Sequence, residues 1–357
     1  MDKPNRPNAF MFFLMLFIII VPSFIGAGIV LIDMLGSAMQ NPDVFISGDV
    51  DAMLGNSALA NIPLWAMLVF TQVFMIGVPC VIYLIIHRNR IRDILPMRRL
   101  GGKNWLMVIF MTLAIFPVAS LIGYVTSLIF GNPMADTMDG MMNETGGIII
   151  MLILFPVLPS IFEEVAMRGI IFAGYTKVKI FTAAIINGLF FGILHQNFNQ
   201  FSFAFVLGFV MCYMMYYTKS IWAPVLCHFV FNLVGVGLPY LIELFTNIDA
   251  LEAGAQAANY DMAQWAQTFI EIGVMLLFAI ASIGVFLLIY IAFKKHNLRR
   301  NELEGIVTDT HAAAIAASEP IPKAYTWGFW ATIALGFAIM VGIQLLDWFL
   351  RWAGSIV

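Results

Sequence analysis

The chain reads as long apolar runs separated by short polar breaks. Crossing about 30 Å of hydrocarbon takes roughly 20 apolar residues as a helix. Runs of that order fall at 9–35, 63–86, 105–130, 147–176, 180–195, 201–217, 221–244, 268–293 and 326–350. The pattern predicts an all-α, polytopic transmembrane helix bundle of about nine spans, eight to nine because those near 180 and 201 are short. A short apolar helix in a membrane is tilted, partly re-entrant or buried among its neighbours. The breaks divide the chain into three spans with their loops over 1–146, a central group over 147–244, and C-terminal helices over 245–357 that include a polar, alanine-rich linker at 294–325. No internal repeat of the kind that builds two-halved transporters stands out, and no soluble catalytic domain is visible. Any chemistry is therefore expected from the membrane region.

Composition agrees with the pattern. Hydrophobic residues make up 61% and charged residues 11%, with a mean hydropathy of +0.91, whereas soluble domains carry about a quarter charged residues. A disulfide scaffold, a disordered chain and a nucleic-acid binder are excluded, since the net charge is −3 and no basic stripe exists. Cys80, Cys212 and Cys227 all sit in apolar runs and read as small core hydrophobes. The first run, from Ala9 to about Leu35, is far longer than a cleavable signal core of about 7 to 15 residues. It is expected to be a retained span. The C-terminus shows no lipidated-cysteine motif.

Charge then orients the bundle, because Lys and Arg concentrate in cytoplasmic loops. Sixteen of the 18 cations fall in alternate breaks: Lys3 and Arg6; Arg88, Arg90, Arg92, Arg98, Arg99 and Lys103; Lys177 and Lys179; Lys219; and Lys294, Lys295, Arg299, Arg300 and Lys323. The other breaks, near 36–62, 131–146, 196–200 and 245–267, hold none, though three of them contain acids such as Asp51, Asp136 and Asp261. The expected arrangement is an integral protein of a bacterial cell membrane, N-terminus cytoplasmic and C-terminus outside. Two cations remain, Arg351 and Arg168.

An ion at the bilayer centre costs about 2.5–3.5 kcal/mol even on the lenient insertion scale, so each deep one needs an explanation. Asp33, Glu243 and Glu271 lie near outer helix ends, and Asp347 and Arg351 are spaced to pair. The fourth run differs, placing Glu163, Glu164 and Arg168 deep in apolar sequence after Pro156 and Pro159. Glu164 and Arg168 stand i, i+4 with the acid first, the favourable order. Glu163 points about 100° away around the helix and needs a partner from another span. His87, His296 and His311 belong to polar breaks and are expected to be solvated, which leaves His195 and His228. At about 1.5 Å per residue, Glu163 and His195 lie roughly 21 and 24 Å from the basic turns, while His228 and Asn232 lie roughly 14 and 20 Å from Lys219. Each histidine alone reads best as an interhelical hydrogen-bonder. An unpaired glutamate, two histidines and an asparagine at compatible depths read as a site.

A carboxylate beside an imidazole can deprotonate a water for attack on an amide, and a second imidazole with a carboxamide can donate to the developing oxyanion. Glu163, His195 and His228 equally form a familiar zinc-ligand set with an open position. The residues resemble a known family: Glu163, Glu164 and Arg168 fit EExxxR, Phe191 and His195 fit FxxxH, and His228 and Asn232 fit HxxxN, preceded by Ser220, Ile221 and Trp222. The pattern is similar to the CPBP family of intramembrane endopeptidases, also called the CAAX protease and bacteriocin-processing or Abi family, which includes the type II CAAX prenyl endopeptidases. Its motifs cover about 155–235, and the sequence departs from it at Cys212, where a small glycine is common.

The resemblance implies that 147–244 is a catalytic core of helices around a polar cavity. Glu163 and His195 would activate water, His228 and Asn232 would form the oxyanion site, and Glu164 and Arg168 would support them. No cofactor is then required, zinc held by Glu163, His195 and His228 being the alternative. The expected partners are the bilayer and a membrane-associated peptide or protein substrate, with no nucleic acid and the oligomeric state open. A non-proteolytic immunity or scaffolding protein is the competing reading. A proton-coupled transporter also explains buried titratable groups, but explains His228 with Asn232 less well.

Overall fold

The structure, a computed structural model, describes residues 5–40, 62–132, 138, 147–245, 264–319, 321 and 323–354. Among them nine long helices follow one another: α1 (Asn5–Gln40), α2 (Leu64–Ile86), α3 (Gly102–Phe130), α4 (Gly147–Glu164, continued by the π-helical Val165–Ile171), α5 (Ile180–Leu194), α6 (Phe198–Thr218), α7 (Trp222–Phe245), α8 (Gln264–Leu303) and α9 (Trp327–Gly354). Eight are long and apolar enough to cross a membrane, and α5 is the shorter exception. The chain is an integral, multi-pass, all-α membrane protein, and α5 is the one buried among its neighbours.

Ten of the 15 residues of α5 are buried, and it forms an antiparallel hairpin with α6. Two glycines set its closeness. A Cβ on Gly188 would stand 2.8 Å from the Phe205 carbonyl, and one on Gly192 would stand 2.9 Å from that of Phe201. Lipid supplies no hydrophobic drive between helices, so such close backbone contact is how membrane helices gain packing energy. On α6, Gly208 meets the Cα of Gly188, while Cys212 is fully buried one turn later. The departure at Cys212 is absorbed within the packed core.

Around this hairpin α3, α4 and α7 pack inside, while α1, α8 and α9 present apolar side chains such as Phe24, Leu277, Leu288 and Trp348 outward. The basic breaks meet at one end of the bundle. Arg98 pairs with Glu304 at 2.7 Å and donates to the Thr218 carbonyl; Arg300 donates to the carbonyls of Arg99 and Leu100. Lys177 pairs with Glu319, and Lys219 donates to the Thr308 carbonyl. Burial pushes the Lys219 ammonium down to about 8. Asn8, at the start of α1, joins the same end by donating to Thr326.

The stretch 294–325 is less of a linker than its polarity suggests. Helix α8 runs on to Leu303, and a short helix covers Thr310–Ala316. The cause is two inward asparagines: Asn297 exchanges hydrogen bonds with Asn104 of α3 at 3.0 and 2.8 Å, and Asn301 donates to the Tyr217 carbonyl at 2.9 Å. His311, expected in solvent, instead bonds through Nδ1 to the Lys177 carbonyl and docks the linker at the basic end. Glu271 accepts from the Tyr124 hydroxyl. Asp51, Asp136 and Asp261, and the side chains of Asp33, Glu243 and Arg351, lie outside the described residues.

The Asn104–Asn297 pair yields a test. Each single change to leucine strands the other amide, whose unmade hydrogen bonds cost about 1–3 kcal/mol, whereas changing both removes the stranded group. The double variant is therefore expected to lose less stability than the two single losses combined, measured by thermal unfolding in detergent. Strict additivity would contradict the pairing.

Candidate active site

Helix α4 carries the acids, and local sequence shapes it there. Pro156 and Pro159 interrupt its hydrogen-bond ladder, and after Glu164 it widens into a π-helical segment through Ile171. Such widened turns recur at functional positions because they redirect side chains. A second π-helical segment, Phe70–Gly77, lies in α2. It places Gln72 against α4, where its amide donates to Glu163 Oε1 at 2.9 Å.

Glu164 and Arg168 form the predicted pair, at 2.6 Å with both side chains fully buried. The guanidinium also donates to the Gly208 carbonyl at 3.1 Å and lies 4.6 Å from the centre of the Phe191 ring. The pair has a third member. His228 places Nδ1 2.9 Å from the same Glu164 oxygen that Arg168 holds. A carboxylate there can only accept, so His228 Nδ1 carries the proton and Nε2 faces the other way. That Nε2 lies 4.0 Å from Glu163 Oε2, an oxygen with no hydrogen-bond partner among the described residues. The rise-based depths make Glu163 and His228 compatible, and in the bundle His228 lies beside Glu163.

His195 caps α5, with Nδ1 2.8 Å from the Phe191 carbonyl. A carbonyl also only accepts, so the ring's Nε2 is left as an acceptor. The turn after it is abrupt: Gln196 takes a left-handed backbone at φ 58°, and Asn197 then caps α6 by accepting from the Gln200 amide. Irregular backbone at this depth is tolerated where it lines a polar cavity. Such a cavity is present, about 480 Å³ in volume. Glu163, His195, His228 and Asn232 all line it, together with Gln72, Gln196 and Gln200. Glu164 and Arg168 do not reach it; they sit behind His228. The three glutamines were not singled out from the sequence. The available signal was an amide within an apolar run, as at Gln72 in 63–86.

For a metal, the three side chains that zinc would use lie around this cavity. Among the described residues, however, no three His, Cys, Asp or Glu side chains are gathered as a ligand set. Glu163 Oε1 is engaged by Gln72, and His228 Nδ1 by Glu164.

Residues 145–234 match the family described as type II CAAX prenyl endopeptidase Rce1-like. A protein of Bacillus subtilis (strain 168) that bears the name "Putative membrane peptidase YdiL" is 32% identical over 84 residues, 23% of this chain and 34% of that protein. The match thus spans about a third of that relative's length. No solved structure matches the chain. The three motifs that carry the resemblance all fall within the segment this family model matches.

The buried charges give the prediction here. Arg168→Ala leaves Glu164 as an uncompensated buried carboxylate, a defect worth about 3–5 kcal/mol. The variant is expected to melt well below wild type in detergent. A change within about 0.5 kcal/mol, the ordinary range for a surface substitution, would show that the pair bears no structural weight.

Proposed function

We propose that the protein is an intramembrane endopeptidase that hydrolyses a peptide bond of a membrane-associated peptide or protein through a water activated by Glu163, with 147–244 as its catalytic unit. The observation that carries this reading is the single cavity lined by Glu163, His195, His228 and Asn232, within the segment that matches an endopeptidase family.

The chain's own residues suffice for the steps. Gln72 holds Glu163 Oε1, which leaves Oε2 as the oxygen that takes the proton of a water in the cavity. The hydroxide so formed attacks the carbonyl carbon of the scissile amide. His195, with Nδ1 tied back to Phe191, offers Nε2 as a second acceptor that orients the same water. The carbonyl oxygen gains negative charge and needs donors. Asn232, one helical turn beyond His228, supplies its amide. His228 donates from Nε2 when its ring is doubly protonated, and Glu164 beneath Nδ1 balances that charge. Arg168 in turn fixes Glu164. The proton on Glu163 then passes to the leaving amine, and acid and amine products separate. This differs from a plain neutral oxyanion donor, since a neutral His228 bonded to Glu164 presents a lone pair to the cavity.

Zinc remains the alternative. Glu163, His195 and His228 would be its ligands, but they are not gathered as a ligand set among the described residues, and no step above is routed through it.

Two measurements test the proposal on a peptide precursor that accumulates uncut in cells carrying Glu163→Ala. In liposomes, Glu163→Ala is expected to abolish cleavage, and Asn232→Ala to lower kcat by about 10²–10³, with the helical circular dichroism of both unchanged. Undiminished cleavage by Glu163→Ala would refute the mechanism. Activity is expected to survive exhaustive chelation; loss on chelation with recovery on zinc alone would establish the zinc version.

A further inference from the structure

A second cavity of about 430 Å³ adjoins the catalytic one, and nothing in the hydrolytic chemistry uses it. It lies between α3, α6 and α7, walled by Phe116, Ala119 and Ser120, by Asn199, and by Val236 and Pro239. The two cavities have Met138, Phe203, Phe231 and Gly235 in common. Phe203 and Phe231 stack with ring centres 6.2 Å apart and form the partition. Gly235 leaves that partition open, because a Cβ there would meet no atom within 4 Å.

Direction matters as much as shape. On α4 the catalytic cavity is lined by Phe155, Pro159 and Glu163, and on α7 the two cavities together run from His228 to Pro239. Both helices place these residues on the side of Glu163 and His228 that faces away from the basic end. Toward the basic end the way is closed by Glu164, Arg168 and the fully buried Met167 and Ile170. Among the described residues, a chain with its scissile bond at Glu163 finds its way closed toward the basic segments and open space on the other side. The second cavity lies on that course.

Its lining is mostly apolar, and its one buried amide is already committed. Asn199 donates to the Gly123 carbonyl at 2.7 Å and to Thr126 at 3.1 Å, which fastens α6 to α3. A space within the usual 300–1,000 Å³ of ligand pockets, roughly, and poor in free hydrogen-bonding groups suits apolar side chains. An occupant continuous with the catalytic cavity must also carry the amide presented to Glu163, which a free lipid does not. We infer that the second cavity is a subsite for apolar residues of the cleaved peptide, reached from the catalytic cavity past Gly235. The inference rests on the hydrolytic reading and deepens it by naming the substrate as an extended apolar peptide.

The test uses the full chain in lipid nanodiscs with two fluorescent probes: a nonapeptide of leucine, alanine and phenylalanine, and a counterpart with aspartate at alternate positions. The Glu163→Gln protein is expected to bind the apolar probe at least tenfold more tightly than the acidic one. Adding Ser120→Trp, which fills the second cavity, is expected to remove at least tenfold of that affinity. A photoreactive benzoylphenylalanine at position 120 is expected to cross-link the apolar probe, a readout that stands even where the tryptophan variant fails to fold. Equal binding of both probes, unchanged affinity with Ser120→Trp, or cross-links to lipid alone would overturn the subsite. Cleavage of both probes by wild type with equal kcat/KM overturns the subsite and leaves hydrolysis standing. Binding at position 120 with no cleavage of any membrane peptide overturns hydrolysis and leaves the subsite standing.

Discussion

The cost of holding charge in hydrocarbon governs this bundle. Arg168 and Glu164 are both fully buried, and desolvating such ions costs several kcal/mol each unless partners surround them. The structure meets that demand with groups from four helices. Arg168 reaches Glu164 on its own helix, the Gly208 carbonyl on α6 and the Phe191 ring on α5, while His228 of α7 closes on Glu164. The ion pair thereby fixes where α4, α5, α6 and α7 sit relative to one another. A buried pair of this sort is weak support for net stability, but the directional bonds around it specify one arrangement.

Close packing makes those bonds reachable. Gly208 can offer its carbonyl to Arg168 because its missing side chain lets α6 lie against Gly188 of α5. The same approach brings the Phe191 ring under the guanidinium and sets His195 at the mouth of the α5–α6 turn. At the basic end, hydrogen bonds from Arg98, Arg300 and Lys219 to backbone carbonyls clamp the segments that join the helices. One end is tied shut by these contacts and by the buried ion pair, and the cavities occupy the other part of the bundle. Polarity along the helix axes thus follows from where the cations were placed.

Around the cavity, the orientation of each side chain follows from which of its atoms a neighbour engages. Glu163 has one oxygen held by Gln72 and the other free toward His228. Both histidines are anchored through Nδ1, one to a carbonyl and one to a carboxylate, so both present Nε2 inward. The anchors differ in kind: His195 meets a backbone carbonyl, whereas His228 meets a carboxylate.

Much of this was legible along the chain. Helix number, multi-pass character and the shortness of α5 follow from run lengths, because a bilayer forces each crossing to satisfy its own backbone. Scarcity of charge singled out Glu163 as the acid with no local partner, and helical periodicity paired Glu164 with Arg168. Other features depended on contacts far apart in sequence. The Gln72 bond to Glu163 spans 91 residues, and a single amide in an apolar run carries no mark of its target. Counting rise from the turns gave compatible depths for Glu163 and His228, but which ring nitrogen faces which oxygen depends on how α4 and α7 pack. The polarity of 294–325 concealed a continuing helix because Asn297 and Asn301 face α3 and the α6 terminus rather than water. Local sequence determined which segments enter the membrane and which charges need partners, since both depend on the free energy of transfer residue by residue. Only the tertiary structure decided who those partners are and where space remains, because partner choice and cavities depend on how helices distant in sequence pack together.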